Sequence, residues 1–237
     1  MGCNVAIGIK SYRPTVSGST HMVTAGHYLA TASGFRILEQ GGNATDAGVA
    51  AGITLNVVLP QWTNFGGVAP IIIHDAQKKK TVEISGLGRW PKAANIDDYF
   101  AKYGDDLPAG IPRTVTPAGA DAWMTALKLY GTMTFEQVVT PAMELAENGF
   151  PVPVTLAGYF ADSAGDGITH ETDEQTMWPS TTEIFYPGGR PFKEGEILVQ
   201  KDLARSFKRL IEVERKNASQ GREAAIQAAR DFFYKGE

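Results

Sequence analysis

At 237 residues with 43% hydrophobic composition, the chain can bury a sizeable core, as one large domain or as part of a bigger one. A net charge of -4 gives no reason to expect nucleic acid or an anionic membrane as partner. The single cysteine, Cys3, excludes an internal disulfide framework and a cysteine-rich zinc site.

No apolar run reaches the roughly 18 to 20 residues needed to span a bilayer. The N-terminus shows no basic region ahead of an apolar one, so a cytoplasmic location is the default, with export and removal of a signal as the alternative. Met1-Gly2-Cys3 does not make a myristoylation signal, because Ala6 stands where that pattern needs Ser or Thr.

Residues 4 to 9 read as a first strand, and Tyr12 to Thr20 as a polar connection. His27 to Gln40 is an amphipathic helix through Leu29, Ala32, Ile37 and Leu38, with His27 a core or capping histidine rather than a base. Gly41 and Gly42 stop it, and Asn43 or Thr45 caps the next helix. From Ala44 to Val58 the residues are mostly small and apolar, so this helix has almost no polar face and must be covered on most sides. Pro60 ends it. Asn64-Phe65-Gly66-Gly67 then turns the chain into a strand from Val68 to His74. Asp75 to Lys79 connects it to a second strand, Thr81 to Ser85.

The ungapped block HxLAxxxGxxILxxGGNAxDAxVA from His27 to Ala50, with its Gly-rich turn and a strand ending in His74-Asp75, resembles the opening of the γ-glutamyltransferase family. The resemblance implies an α/β fold, the layered αββα sandwich of the N-terminal-nucleophile hydrolases, of which this chain supplies part. It also implies a precursor that cuts itself, giving a heterodimer in which the new N-terminal Thr of a small chain attacks an amide or γ-glutamyl bond.

Gly86-Leu87-Gly88-Arg89-Trp90-Pro91 departs from that family. In γ-glutamyltransferases the matching segment resembles RExxP, whose arginine, four residues before the proline, clamps the substrate's α-carboxylate. A guanidinium suits that task because its planar fork makes two charge-assisted hydrogen bonds. Here Leu87 stands four before Pro91, and the nearby arginine is Arg89, two before it. Either Arg89 reaches round to bind a carboxylate, or the protein takes a different acyl group. The Gly-x-Gly-Arg-x-Pro form resembles the acylase and amidohydrolase branch. Arg89 is therefore the candidate substrate-binding residue, its plainer reading being a surface or salt-bridge arginine.

Asn95 to Tyr103 is a short helix and Gly104 to Pro112 a loop. A helix opened by Pro117-Ala118-Gly119 runs to Tyr130. Thr134 caps a helix from Phe135 to Glu147, closed by Asn148-Gly149, with a kink or break expected near Thr140 because Pro141 lies inside it. Glu144 and Glu147 read as a solvated face rather than a catalytic pair. Residues 158 to 182 read as a variable loop or insertion, and His170, Glu171, Asp173 and Glu174 within it are too weak a set for a metal site. The resemblance resumes at Phe185-Tyr186-Pro187-Gly188-Gly189 and leads into helices at Ala204 to Val213 and Asn217 to Asp231. Phe233-Tyr234-Lys235-Gly236-Glu237 resembles the family's Phe-Tyr-x-Gly-Glu, ordinarily followed by more large-chain sequence.

No Gly-x-Ser-x-Gly, phosphate loop, dinucleotide fingerprint or HExxH is present, and Cys3 is an N-terminal nucleophile only if Met1 and Gly2 are removed. The expectation is the front part of a large chain, residues 1 to 237 within a single layered domain, carrying no catalytic residue, metal or cofactor of its own. It forms one wall of the substrate pocket, with a Thr-bearing small chain as partner and a small-molecule amide or γ-glutamyl-like substrate. The alternative is a non-catalytic scaffold of the same fold.

Overall fold

Asn43 sets the central helix, α2 (Ala44–Val58). Its side chain accepts hydrogen bonds from Thr45 N and Asp46 N, and the Asp46 carboxylate accepts from Asn43 N, a reciprocal capping box. With nearly every α2 side chain small or apolar, the helix is buried along most of its length. The computed structural model that shows this describes residues 15–108, 110–165 and 179–236. The strand expected at residues 4 to 9, Cys3, and the stretch holding His170, Glu171, Asp173 and Glu174 lie outside the described residues.

Helix α1 (Tyr28–Glu39) packs on α2. His27 caps it, as expected, its Nδ1 accepting from Leu29 N at 3.2 Å. That bond places the proton of a neutral ring on Nε2, and burial holds the histidine below its ordinary pKa. Two further helices, α4 (Gly119–Tyr130) and α5 (Phe135–Asn148), also pack on α2, the short exposed α3 (Ile96–Tyr103) preceding them. The Trp123 indole of α4 donates to Asn56 of α2.

Two carboxylates knit these helices where the sequence shows only polar positions. Asp46, fully buried, accepts from Thr132 N, Thr132 Oγ1 and Met133 N between α4 and α5. Glu214, 4% exposed, accepts from Phe135 N at 2.6 Å and Glu136 N at 2.8 Å at the start of α5. Burial nevertheless pushes the Glu214 carboxyl above the usual carboxylate range. A raised folded pKa contributes stability that is full below the unfolded value, about 4.3, and is lost as pH rises through the folded one. The stability of wild type relative to Glu214→Gln is therefore expected to decline as pH rises from 4 towards 7, followed by urea unfolding. A difference that grows with pH would mean that the two amides outweigh the desolvation.

Helix α5 runs through Pro141 as one helix, so of the kink or break expected near Thr140 there is no break. Thr140 Oγ1 donates to Glu136 O at 2.6 Å. Val138, Val139, Ala142 and Ala146 are fully buried on either side of the proline, so packing offsets the loss of one backbone bond. Glu144 pairs with Arg36 at 2.6 Å and Glu147 with Lys208, surface ion pairs as expected of a solvated face.

The expected loop at 158 to 182 is helical at both described ends, in α6 (Val154–Gly165) and α7 (Pro179–Phe185). Leu156 and Phe160, four apart, are both buried, and Phe160 stacks on Phe185 at 4.7 Å. Ala157 and Tyr159 pack beside them against the core, so α6 is held by an apolar face at helical spacing. The last helices, α8 (Lys201–Lys216) and α9 (Arg222–Lys235), are longer or later than the periodicity suggests. Helix α8 packs on α5, and α9 returns to α8 and α4.

The strands form two small antiparallel sheets. β1 (Ile71–Asp75) pairs with β2 (Lys80–Ile84) in the register Ile71 to Ile84 and Asp75 to Lys80. β1 begins three residues later than expected, because Pro70 brings no N–H to a ladder. Ile71, Ile73 and Ile84 face the helices, whereas Ile72 is exposed. β3 (Phe150–Pro151) pairs with β4 (Ile197–Leu198), Phe150 opposite Leu198. No described helix is long and apolar enough to cross a membrane.

Candidate functional site

The segment after β2 is held between two backbones. On one side Ala69 N donates to Gly86 O at 3.0 Å, and on the other Thr116 N donates to Arg89 O at 2.9 Å. Gly86 has φ +56, and a Cβ on it would overlap Ala69 O. A Cβ on Gly88 would overlap Thr116 O. The Gly-x-Gly spacing is thus required by two close backbone approaches, one to each side.

With Gly88 turned to Thr116, its neighbours Leu87 and Arg89 alternate away from that contact. Leu87 is 60% exposed and Arg89 is also exposed. Two residues apart along extended chain is roughly 6.6 Å, a gap an arginine side chain can span. Among the described residues no acid pairs with Arg89.

A second layer fixes this segment from below. Gly67 N donates to Asn64 O, closing the Gly-rich turn, and Gly67 O accepts from Ala118 N and Gly119 N, which caps α4 beside Thr116. Phe65 of the turn meets Phe207 and Phe233 edge-on, at 5.2 and 5.4 Å. Tyr234 Oη donates to Pro117 O and accepts from Asp121 N, both at 3.0 Å. The Phe233-Tyr234 pair near the C-terminus therefore braces the turn and the 116–119 strap. Sequence reading treats that pair as a motif without a role, since its contacts lie more than a hundred residues away in the chain.

Beyond Arg89 the chain leads into an apolar cavity of about 460 Å³ between Trp90, the loop after α3, and α3 itself. Trp90 meets Tyr99 edge-on at 5.6 Å. Asn95 caps α3 by accepting from Asp97 N, yet no α3 residue is buried. Among the described residues no group of three or more His, Cys, Asp or Glu is placed to hold a metal ion.

A family model described as Gamma-glutamyltranspeptidase matches residues 30–236. The glutathione hydrolase proenzyme of Bacillus subtilis (strain 168) is 33% identical over 207 residues, covering 83% of this chain and 33% of the relative. The acylase ACY 1 proenzyme of Pseudomonas sp. (strain SE83) is 34% identical over 217 residues, covering 86% of this chain and 37% of the relative. The crystal structure of Helicobacter pylori gamma-glutamyltranspeptidase is similar with a TM-score of 0.74 at 29% identity, over 83% of this chain and 55% of that one. The chain spans about a third of the length of these curated relatives. The likeness extends from the capped α1–α2 pair through the braced turn to Tyr234, in the α/β fold of the N-terminal-nucleophile hydrolases, and the chain belongs to the gamma-glutamyltranspeptidase family.

Proposed function

We propose that this chain is the large-chain portion of a self-processing amide hydrolase or acyltransferase and forms one wall of its substrate pocket. The nucleophile is the N-terminal Thr of a small chain, whose own amine serves as base. Its Oγ bonds to the substrate's carbonyl carbon, the amide C–N bond breaks, and the leaving amine departs with a proton. Water or a second amine then takes the acyl group from the Thr. The names of the relatives, each a proenzyme, support processing into two chains.

The observation that carries this chain's part is the exposed Arg89, which pairs with no acid among the described residues, on a segment clamped between Ala69 and Thr116. A guanidinium so placed binds a carboxylate on the acyl group. Leu87, where the family's clamp would stand, provides no such contact, so a γ-glutamyl group loses its usual anchor.

The test is an intact-mass measurement of the native preparation followed by turnover of anilides. Two polypeptides are expected, one beginning with Thr, together with poor cleavage of γ-glutamyl anilide that Leu87→Arg improves. Removing a charge-assisted hydrogen bond predicts that Arg89→Ala lowers kcat/KM for a carboxylate-bearing amide by about 10- to 100-fold. A single intact chain that turns over substrate would sink the two-chain reading, and an Arg89→Ala variant with unchanged kcat/KM would reduce this chain to a scaffold.

A further inference from the structure

We propose that the cavity between Trp90 and α3 is a binding site for a free quaternary ammonium compound with an apolar body. The assignment goes beyond the amide chemistry and asks nothing of Arg89, which does not line the cavity.

Helix α3 carries Ile96, Tyr99, Phe100 and Tyr103 at helical spacing, a stripe that would ordinarily pack on a core. Instead Ile96 is 70% and Phe100 54% exposed, and with Trp90 and Tyr99 they border a space of about 460 Å³. That volume lies within the range of small-molecule sites. The aromatic wall is preformed, since Tyr99 stands edge-on to both Trp90 and Tyr103. The face of an aromatic ring is its electron-rich side and attracts cations. This row already holds one, for Lys102 Nζ lies over the Tyr103 ring, 5.0 Å from its centroid.

Charge points the same way. Among the described residues Asp105 is the one charged residue on the lining, and no lysine or arginine pairs with it. A carboxylate so placed repels an anion and draws in a cation. On and after α3, Asp97, Asp98 and Asp106 add to it against Lys102. Arg89 and Lys92 flank Trp90 in the sequence, but neither lines the cavity.

The kind of cation follows from the scarcity of acceptors. A primary ammonium brings three N–H donors that must find partners. The lining side chains offer it little beyond Asp105 and the Tyr99 hydroxyl, because Asn95 Oδ1 already accepts from Asp97 N. A quaternary ammonium has no N–H to satisfy, and its methyl groups meet aromatic faces directly.

The experiment is calorimetric titration of the native preparation, at constant ionic strength, with choline, with its uncharged isostere 3,3-dimethyl-1-butanol, and with benzyltrimethylammonium. Choline is expected to bind about tenfold or more tighter than the isostere. Burial of the added ring predicts about another tenfold for benzyltrimethylammonium. Phe100→Leu keeps the apolar bulk but removes a ring face, so it should weaken choline by about threefold and leave the isostere unchanged. Asp105→Asn should weaken choline by about two- to fivefold, the range of an exposed ion pair. Because Phe100 and Asp105 are exposed, both variants should keep the thermal midpoint within about a degree of wild type.

Equal affinities for choline and its isostere overturn the assignment, as does choline binding that neither variant weakens. A Phe100→Leu variant that loses several degrees of midpoint also overturns it, showing that another part of the protein covers the ring. Phosphatidylcholine vesicles that retain the protein while free choline fails to bind would replace the small-molecule site with a lipid surface. Anilide turnover decides the amide-hydrolase reading separately, so the two proposals can fail independently.

Discussion

Asp46→Ala is expected to cost about 4 kcal/mol of stability, lowering the thermal midpoint by about 8 to 16 °C. The carboxylate is fully buried and accepts from four donors: Asn43 N, Thr132 N, Thr132 Oγ1 and Met133 N. A methyl group leaves the three backbone N–H groups without that partner, at about 1 to 3 kcal/mol for each one that stays buried. It also removes a negative charge from the first turn of α2, where the helix dipole favours one.

Asp46→Asn separates these contributions. Its oxygen can still accept from Thr132 N and Met133 N, but its amide nitrogen then confronts the Asn43 N–H, so about half the loss is expected. Chemical unfolding of the two variants beside wild type makes the comparison. Alanine and wild-type midpoints that coincide would show that Asp46 does not join α2 to the α4–α5 turn.

The elements that were legible in the sequence are those whose cause is local. Helix α2 begins and ends where Gly-Gly, Asn43 and Pro60 say it should, and α5 starts at the Thr134–Gln137 capping box, because a cap acts within four residues of itself. Pro141 does not break α5 because its cost is local while the burial that offsets it comes from neighbouring helices. The apolar residues that hold α6, Leu156 and Phe160, straddle the point at which the expected loop begins, and α7 opens on the polar run Ser180 to Glu183.

Glu214 was illegible for a related reason. It sits in a helix dense with charge, and what sets it apart from its neighbours is the start of α5 lying over it. At the candidate site the Gly86-x-Gly88-Arg89 pattern is plain in the sequence. What each glycine faces is not, since Ala69 and Thr116 reach it from outside the segment.

Gly88→Ala tests that arrangement most sharply, with an expected stability loss of about 3 kcal/mol. The new Cβ would overlap the Thr116 carbonyl oxygen and lie 2.8 Å from Val115 Cγ2. Backbone cannot be trimmed or rotated away as a side chain can, so the two segments must part by on the order of 1 Å to restore ordinary contact. The Thr116 N to Arg89 O bond is the first to lengthen, and Arg89 moves with it.

On the proposed substrate-binding role of Arg89, a displacement of that size costs roughly 100-fold in rate, so Gly88→Ala should approach Arg89→Ala in kcat/KM although the guanidinium is still present. Adding Val115→Ala relieves the side-chain contact alone and should rescue little. Leu87→Ala, on the exposed side of the same segment, should stay within about 0.5 kcal/mol of wild type in stability. If Gly88→Ala instead keeps wild-type kcat/KM, or if Val115→Ala restores it, then the Thr116 backbone does not hold Arg89 in place.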